Sequence, residues 1–164
     1  MRNAGDGADG LLLVPAVNKI NQAMEVVRAN QGRLTLLGSQ TMYTIETLQG
    51  QADANGMALA VVWEPSAIGR TPYAVSAKRF WGGAGSWRTA MAYDATKAIN
   101  TGLKSGLRRD QLQKALSSSG FSINGTTGLI QFLPSGDRNA PARLIKIQPG
   151  RNSGTGYDFV PFLP

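Results

Sequence analysis

The chain has 164 residues, 42% of them hydrophobic, with a formal net charge of +7 at pH 7 and neither cysteine nor histidine. This length and apolar content suit one domain or two small lobes and exclude a disordered chain. The missing cysteine and histidine exclude disulfides, thiolate and imidazole metal sites, and every Ser-His-Asp or Cys-His nucleophile, so only carboxylate, lysine or hard-metal chemistry is left to an enzyme.

The first predicted elements form a βαβ unit. A continuous apolar run from Leu11 to Val14 is typical of a strand buried on both faces. The next segment predicts a helix that ends at Gln31-Gly32, and its apolar stripe consists of Ile20, Ala23, Met24 and Val27. RLTLLG from Arg33 predicts a second strand. Two buried strands joined by a helix predict a parallel sheet.

Polar residues follow both of these strands. The segments are PAVNKIN from Pro15 and GSQTMYT from Gly38. In open α/β sheets, ligands bind at the carboxyl ends of the parallel strands. We therefore expect a binding edge at these two loops.

The middle of the chain predicts one more strand and three helices. The strand is NGMALAVVWEP from Asn55, and the last helix is RRDQLQKALSSSG from Arg108. The first helix, in RTPYAVSAKRFWGG, has Thr71 as its N-cap, Pro72 at its first position and Gly82 past its end. A longer helix, SWRTAMAYDATKAINTGLKSG, begins near Ser86.

After Gly120 the pattern becomes β. Alternation at Ile130 and Phe132, and again at Ile145 and Ile147, predicts two strands of a C-terminal hairpin that PSGDRNAP connects. The tail, residues 151–164, is rich in glycine and proline, and we expect it to be a loosely ordered loop.

The stretch GTTGLIQFLPSGDRNAP, residues 125–141, allows two chemical interpretations. As a phosphate loop it lacks the Walker lysine and opens a strand instead of a helix. As a calcium loop it offers only Asp137, where such sites gather several oxygen ligands. A turn fits better, with Pro134 at its second position and Gly136 at a flexible one.

Charged and aromatic residues give no catalytic motif. No two carboxylates share a spacing for acid-base work. The basic residues are scattered from Arg2 to Arg151, which favours a solvated basic surface over nucleic-acid binding. Single aromatic residues favour packing over ligand stacking. Trp87-Arg88 stands out, because it follows GGAGS at a helix start, where a side chain can face a cleft.

Four stretches together resemble the later half of type I solute-binding proteins of ABC transporters, the branched-chain or other amino-acid-binding family, with cyanobacterial members especially similar. The AYDA helix and the GTTGLIQFLPSGDR hairpin are the most specific signatures. The four stretches are LLLVPAVNKINQAMEVVRAN, RLTLLGSQTMYTIETLQGQADANGMALAVVWEP, FWGGAGSWRTAMAYDATKAINTGLKSG and FSINGTTGLIQFLPSGDRNAPARLIKIQPG.

The resemblance implies a fold of two α/β lobes, connected by hinge strands, that close on a small solute. Here it implies an incomplete α/β fold with parallel-sheet βαβ layers and a C-terminal β-hairpin. Residues 1–61 are then part of the second lobe and residues 62–125 the helical part of the first lobe. Residues 126–150 form the hinge and hairpin, and residues 151–164 form a loose tail.

The resemblance also implies a receptor and no enzyme: a protein without a cofactor that captures a small, amino-acid-like polar solute in the periplasm and delivers it to a membrane permease. The family's early half has no counterpart here, and the N-terminus MRNAGDGADG carries no export signal. We therefore interpret the chain as a fragment with an incomplete cleft. Two alternatives stay open, a ligand-sensing domain of a signalling protein and a remnant that binds protein or nucleic acid, although no specific nucleic acid is expected.

Carried over position by position, the resemblance implies a set of cleft residues in the loops after the first two strands and at one helix start. Amino-acid binders often hold the ligand ammonium with an acid in the second loop, where this chain has the uncharged Gln40. Arg88 can bind a carboxylate bidentately. The implied ligand-binding residues are Val17, Asn18, Gln40, Thr41, Trp87 and Arg88.

Overall fold

The computed structural model describes residues 7–64, 71–82 and 85–162. The chain divides into two compact units, the first formed by residues 1–61 and 143–164 and the second by residues 62–142. The described residues form seven strands: β1 (Gly10–Leu13), β2 (Thr35–Gly38), β3 (Ala58–Val61), β4 (Ile123–Gly125), β5 (Gly128–Ile130), β6 (Arg143–Pro149) and β7 (Tyr157–Pro161). They also form the helices α1 (Ile20–Asn30), α2 (Ile45–Leu48), α3 (Pro72–Trp81), α4 (Trp87–Gly102) and α5 (Arg109–Leu116).

The first unit is built on a mixed five-stranded sheet in the order β1-β2-β3-β6-β7. β1 pairs with β2, and β2 with β3, in parallel. β6 runs antiparallel to β3 on one side and to β7 on the other. The predicted parallel βαβ unit is thus confirmed, and the last two strands make the complete sheet mixed.

Helix α1 supplies most of the cover on one face of this sheet. Its predicted apolar stripe is buried, and the helix ends at Gln31, which adopts the left-handed conformation. The stripe packs in one cluster with Leu48 of α2 and with sheet residues such as Leu36, Leu59 and Ile145. Both connections, β1 to β2 and β2 to β3, therefore lie on the same face of the sheet, which we call the inner face.

The prediction that β1 is buried on both faces is wrong. Leu13 faces the core, but Leu12 is 63% exposed, and Val14, the residue after the strand, is 68% exposed. β1 is an edge strand, and successive side chains of a strand point to opposite faces. Since α1 and α2 cover only the inner face, the side chains of β1 that point to the opposite face are exposed.

The second unit contains the three predicted helices. Thr71 caps α3, accepting a hydrogen bond from the Ala74 amide at 3.2 Å, and Gly82 ends the helix with φ of 72°. Ser86 caps α4 in the same way through the Thr89 amide, at 3.3 Å. The predicted start and end of α3 and the predicted start of α4 are confirmed.

The hairpin differs from its prediction. β4 and β5 pair across Thr126-Thr127, whereas β6 leaves for the sheet of the first unit and pairs there with β3 and β7. PSGD is a turn as expected, closed by the Gly136 amide on the Leu133 carbonyl at 2.8 Å. The sequence marks both strand segments but carries no local signal for their distant partners.

The C-terminal tail is more ordered than expected. Tyr157–Pro161 forms β7, which pairs with β6 over five residues, and its Tyr157 and Phe159 pack against the core. The glycines before it fold into a loop, with Gly154 and Gly156 at positive φ. Apolar residues on alternate positions of β7 therefore outweigh the glycine-rich composition.

Among the described residues, no helix is long and apolar enough to cross a membrane.

Candidate functional site

The loops after β1 and β2 lie at one edge of the sheet. β1 and β2 are adjacent and parallel, so their carboxyl ends meet there, and the Ser39 amide donates to the Leu13 carbonyl at 3.0 Å across that edge. Each loop contains a short 3-10 turn, Val17–Lys19 in one case and Gln40–Met42 in the other. The two loops that the sequence analysis predicts to form a binding edge are therefore neighbours at one end of the sheet.

The loop after β2 is fixed to the core by a buried side chain and a hydrogen bond within the loop. Met42 is fully buried in the core, and the Ser39 and Thr41 hydroxyls share a hydrogen bond of 2.8 Å. A Cβ at Gly38 would lie 3.3 Å from the Met42 side chain, so the strand end and the turn pack closely. Gln40 and Thr41 are consequently half-buried on a closely packed turn.

The first loop is more open. Val17 is 58% exposed and Asn18 is exposed, although Lys19 closes the turn by donating its amide to Ala16 at 2.8 Å. Neither loop, over residues 14–19 and 39–44, contains a carboxylate. The edge can thus offer amide and hydroxyl hydrogen bonds, and it has no negative charge of its own with which to hold an ammonium group.

Trp87 and Arg88 lie in the second unit, in the first turn of α4. The Arg88 guanidinium carbon is 4.5 Å from the centroid of the Trp87 ring, a cation-π contact. Thr89, next along the chain, shares a 2.9 Å hydrogen bond with the Tyr73 hydroxyl and so ties α4 to α3. The contact places a half-buried indole beneath an exposed guanidinium, an arrangement that can stack on a planar group or bind a carboxylate.

Asp94, in the AYDA helix, has a role that the sequence reading missed. Its carboxylate is buried and accepts hydrogen bonds from the Thr126 amide at 2.6 Å, the Thr127 amide at 3.1 Å and the Thr127 hydroxyl. Arg138 completes the group, with Nη1 3.7 Å from the same carboxylate. The sequence does contain a signal for this role. A carboxylate stands between Ala90 and Ala98 on the buried side of α4, and a buried charge requires partners.

These contacts give the GTTG and SGDR segments a structural role that involves no catalysis or ligand binding. Asp94 holds the β4-β5 turn, and Arg138 neutralises Asp94. Burial lowers the pKa of Arg138, and the attraction of Asp94 partly offsets this effect. Because four donors, from Thr126, Thr127 and Arg138, converge on one carboxylate, the cluster is a structural anchor of the second unit.

A groove of about 530 Å³ lies within the second unit, between α5 and the turn Leu133–Gly136. Its wall includes Leu112, Leu116 and Phe132. No predicted ligand residue lines this groove, and most of its lining residues are solvent-exposed. Among the described residues, no group of three or more acidic side chains is placed to hold a metal ion.

Comparison with known proteins gives matches at the level of structure. No family model matches the chain, and no curated protein sequence does. The leucine-, isoleucine-, valine-, threonine- and alanine-binding protein of Brucella ovis, in its closed conformation, matches over 96% of this chain with a TM-score of 0.77 and 16% identity. A leucine-binding protein of Thermotoga maritima matches over 93% with a TM-score of 0.72 and 16% identity. The branched-chain amino acid transporter substrate-binding protein of Streptococcus pneumoniae, in complex with isoleucine, matches over 98% with a TM-score of 0.69 and 14% identity.

These matches define the fold class. The chain has an α/β fold, with a mixed, partly parallel sheet and a small hairpin sheet, that corresponds to part of the type I periplasmic-binding-protein fold. It spans 43% of the Brucella and Thermotoga chains and 47% of the Streptococcus chain, less than half of each. The predicted resemblance to amino-acid-binding proteins of ABC transporters is thereby confirmed in its structural part.

Proposed function

We propose that the chain is part of the solute-binding component of an ABC-type importer. In this proposal residues 1–61 belong to one lobe, residues 62–125 to the other, and residues 126–150 to the hinge region. The cleft between the lobes takes a small polar solute and passes it to a membrane permease from the periplasm. The observation that carries the proposal is the pair of polar loops at the carboxyl edge of β1 and β2, in a fold that matches amino-acid-binding proteins along nearly its whole length.

The chemistry of the two loops indicates the kind of solute. Asn18, Gln40 and Thr41 offer neutral donors and acceptors, and no carboxylate stands among them to pair with an ammonium group. Arg88 supplies a positive charge beside the Trp87 ring. A solute with a carboxylate and an amide suits this set better than one whose recognition depends on a positive charge. We propose an amino acid or amide that is recognised through its carboxylate and amide groups, with Val17 as an apolar contact at the rim.

Affinity for this solute should be low in the chain alone. The chain spans less than half of the matched binding proteins, and a small ligand is bound tightly only where most of its surface is enclosed. A dissociation constant of about 1 mM or weaker corresponds to a binding free energy of about −4 kcal/mol, which one wall of a cleft can provide.

Titration followed by NMR can detect such weak binding and locate it. Leucine, isoleucine, glutamine, asparagine and urea would be added to the 15N-labelled chain in separate titrations. We expect the largest amide shifts at residues 16–19 and 39–43. Gln40→Ala should reduce those shifts, whereas Gln49→Ala, an exposed residue at the end of α2, should leave them unchanged. Shifts spread evenly over the surface, or absent for every solute, would contradict the proposed binding edge.

A further inference from the structure

The positive charge of the chain is concentrated in the second unit. Residues 62–142 hold ten of the 17 basic residues and only four of the ten acids, which is a net charge of +6 out of a total of +7. Two of those four acids, Glu64 and Asp94, are buried and add little negative charge to the surface. The basic residues are scattered along the sequence, but the folded chain gives one unit nearly all of their excess.

The connection between α4 and α5 combines this charge with an exposed apolar side chain. Leu107 is 87% exposed, more than any other large hydrophobic residue that the structure describes. Three exposed basic residues lie around it in the sequence, and together with Leu107 we call them the basic cluster: Lys104, Arg108 and Arg109. The one acid of this stretch, Asp110, pairs with Arg108 at 3.0 Å, so the charges of Lys104 and Arg109 remain in excess.

Local contacts fix the backbone of this connection. The side-chain oxygen of Gln111, in the first turn of α5, accepts a hydrogen bond from the Arg108 amide at 3.2 Å. α5 also packs closely on the end of α4, because a Cβ at Gly102 would lie 2.6 Å from the Leu112 Cδ1. Leu107 is therefore presented to solvent by a connection that is held at both of its ends.

The exposure of the basic cluster follows from its own chemistry. Lysine and arginine side chains are almost never fully buried unless they are paired. An element packed over Lys104 and Arg109 would thus have to supply an acid for each of them. A single exposed leucine needs no explanation, whereas a leucine among excess cations suits a surface that has negative charges above an apolar layer. An anionic lipid bilayer is such a surface.

A second exposed apolar segment lies across the groove of the second unit from Arg109. The groove is lined by Arg109 on α5 and by Leu133 and Pro134 on the facing turn, and Leu133 is 42% exposed. The acid of this turn, Asp137, accepts a hydrogen bond from the Ser135 hydroxyl at 2.8 Å. The apolar area beside the basic cluster is therefore larger than one leucine.

We propose that the basic cluster docks the second unit on the surface of an anionic lipid bilayer. Its three cations contact the phosphates of the headgroups, and Leu107 inserts at the boundary between headgroups and acyl chains. Leu107 separates this partner from a nucleic acid, whose phosphates the same cations could bind but which has no apolar layer beneath them. The proposal does not depend on solute binding.

Co-sedimentation of the complete chain with lipid vesicles tests the role of the charges. The vesicles are phosphatidylcholine alone, or equal parts of phosphatidylcholine and phosphatidylglycerol. We expect binding only to the anionic vesicles, and weaker binding as salt is added, because salt screens exposed charges. Lys104→Gln combined with Arg109→Gln should weaken binding about thirtyfold, since each basic residue near such a surface contributes about 1 kcal/mol.

A matched control removes the same charge elsewhere. Arg28→Gln combined with Arg151→Gln changes two exposed residues of the first unit, and it should weaken vesicle binding less than about threefold, because charges away from the bilayer are screened. Circular dichroism establishes that each variant is folded.

The insertion of Leu107 can be observed directly, because the chain has no cysteine of its own. Leu107→Cys and Leu129→Cys each carry one environment-sensitive fluorophore, and Leu129 is the control, 48% exposed in the second unit. With anionic vesicles, only the label at position 107 should shift its emission to the blue. Leu107→Ala should weaken vesicle binding about tenfold, since it removes apolar atoms that insert, and Leu129→Ala should leave binding unchanged.

Three results would overturn the proposal. The chain does not bind anionic vesicles at low salt, or the two double variants lose the same affinity, or the label at position 107 does not shift. A fourth would assign the basic cluster to another partner: if single-stranded DNA binds and is released by Lys104→Gln with Arg109→Gln, while Leu107→Ala leaves vesicle binding unchanged, the cluster is a nucleic-acid surface.

Discussion

The carboxylate of Asp94 and the backbone amide of Thr126 are joined by a 2.6 Å hydrogen bond between residues 32 positions apart. The bond ties the middle of α4 to the β4-β5 turn. Thr127 and Arg138 direct their own donors at the same carboxylate. One acidic side chain therefore fixes a helix, a turn and the residue at the isolated bridge that follows.

Replacing Asp94 should destabilise the second unit strongly. Asp94→Asn leaves the Arg138 charge, on a side chain only 17% exposed, without its partner, and we expect a loss of roughly 3 kcal/mol. All three tryptophans lie within residues 62–142, so their fluorescence during urea unfolding reports this unit. The matched control is Asp110→Asn, which breaks an exposed ion pair with Arg108 and should cost less than about 1 kcal/mol. Equal losses for the two variants would contradict an anchoring role of Asp94.

Gly125 should not tolerate a side chain. A Cβ at this position would lie 2.6 Å from both the Asp94 Oδ2 and the Ile130 Cδ1. Gly125→Ala should therefore lower the stability of the second unit by about 1–3 kcal/mol through overpacking. At Gly120 the new Cβ would meet only the Ser118 Oγ, at 4.0 Å, so Gly120→Ala provides the control. Thermal unfolding followed by tryptophan fluorescence compares the two, and a tolerated Gly125→Ala would show that the turn shifts freely.

Asp158 should make the first unit sensitive to acid. Hydrogen bonds, of which the Asn152 amide makes the largest contribution, lower the pKa of Asp158, and burial opposes them only in part. A carboxylate with a lowered folded-state pKa contributes stability above its unfolded pKa, about 3.9, and this stability is lost as the pH falls through the folded value. The free energy of unfolding, from circular dichroism in urea, should thus fall below about pH 4.

Two variants separate the contributions to this acid response. Asp158→Asn should lower stability at neutral pH and flatten the decline below about pH 4. Asn152→Ala removes the 2.9 Å side-chain bond but keeps both backbone donors, so its decline should be intermediate. If Asp158→Asn declines as steeply as the parent chain, other groups control the acid response.

Gln31 is a position at which glycine should improve the protein. It ends α1 with φ of 51° and ψ of 36°, a left-handed conformation that glycine adopts without the steric cost of a Cβ. Gln31→Gly should raise stability by about 0.5 kcal/mol, because the removed strain exceeds the entropy that glycine adds to the unfolded chain. Glu25→Gly, in the exposed interior of the same helix, should lower it by about 1 kcal/mol. The expected opposite signs in urea unfolding make the comparison decisive.

Local signals in the sequence predicted local structure well. The stripe of α1, the Thr71 cap and the PSGD turn each depend on residues a few positions apart, and all three are present. The partners of β6 could not be predicted in this way, since β3 lies more than 80 residues before it. The exposure of Leu12 was missed for a related reason: an apolar run records that a residue is hydrophobic, and not whether another element covers it.

The candidate site was predictable only in its position. Strand ends followed by polar residues indicated the loops of Asn18 and Gln40, and the structure places both loops at one edge of the sheet. Asp94 was overlooked because its partners, Thr126 and Arg138, lie in another part of the sequence. A single charged residue in an apolar helix stripe therefore indicates a distant partner, even where no motif spacing is present.

The pairing of Val61 with Arg143 bears on how the chain can be redesigned. The chain leaves the first unit at Val61 and returns at Arg143, and these two residues are direct neighbours in an antiparallel ladder. The second unit is thus inserted at the closed end of what would otherwise be an ordinary hairpin. An Asn-Gly turn in place of residues 62–142 has the geometry to join β3 to β6, and it would yield the sheet as a miniature domain whose outer and inner faces can be studied by themselves.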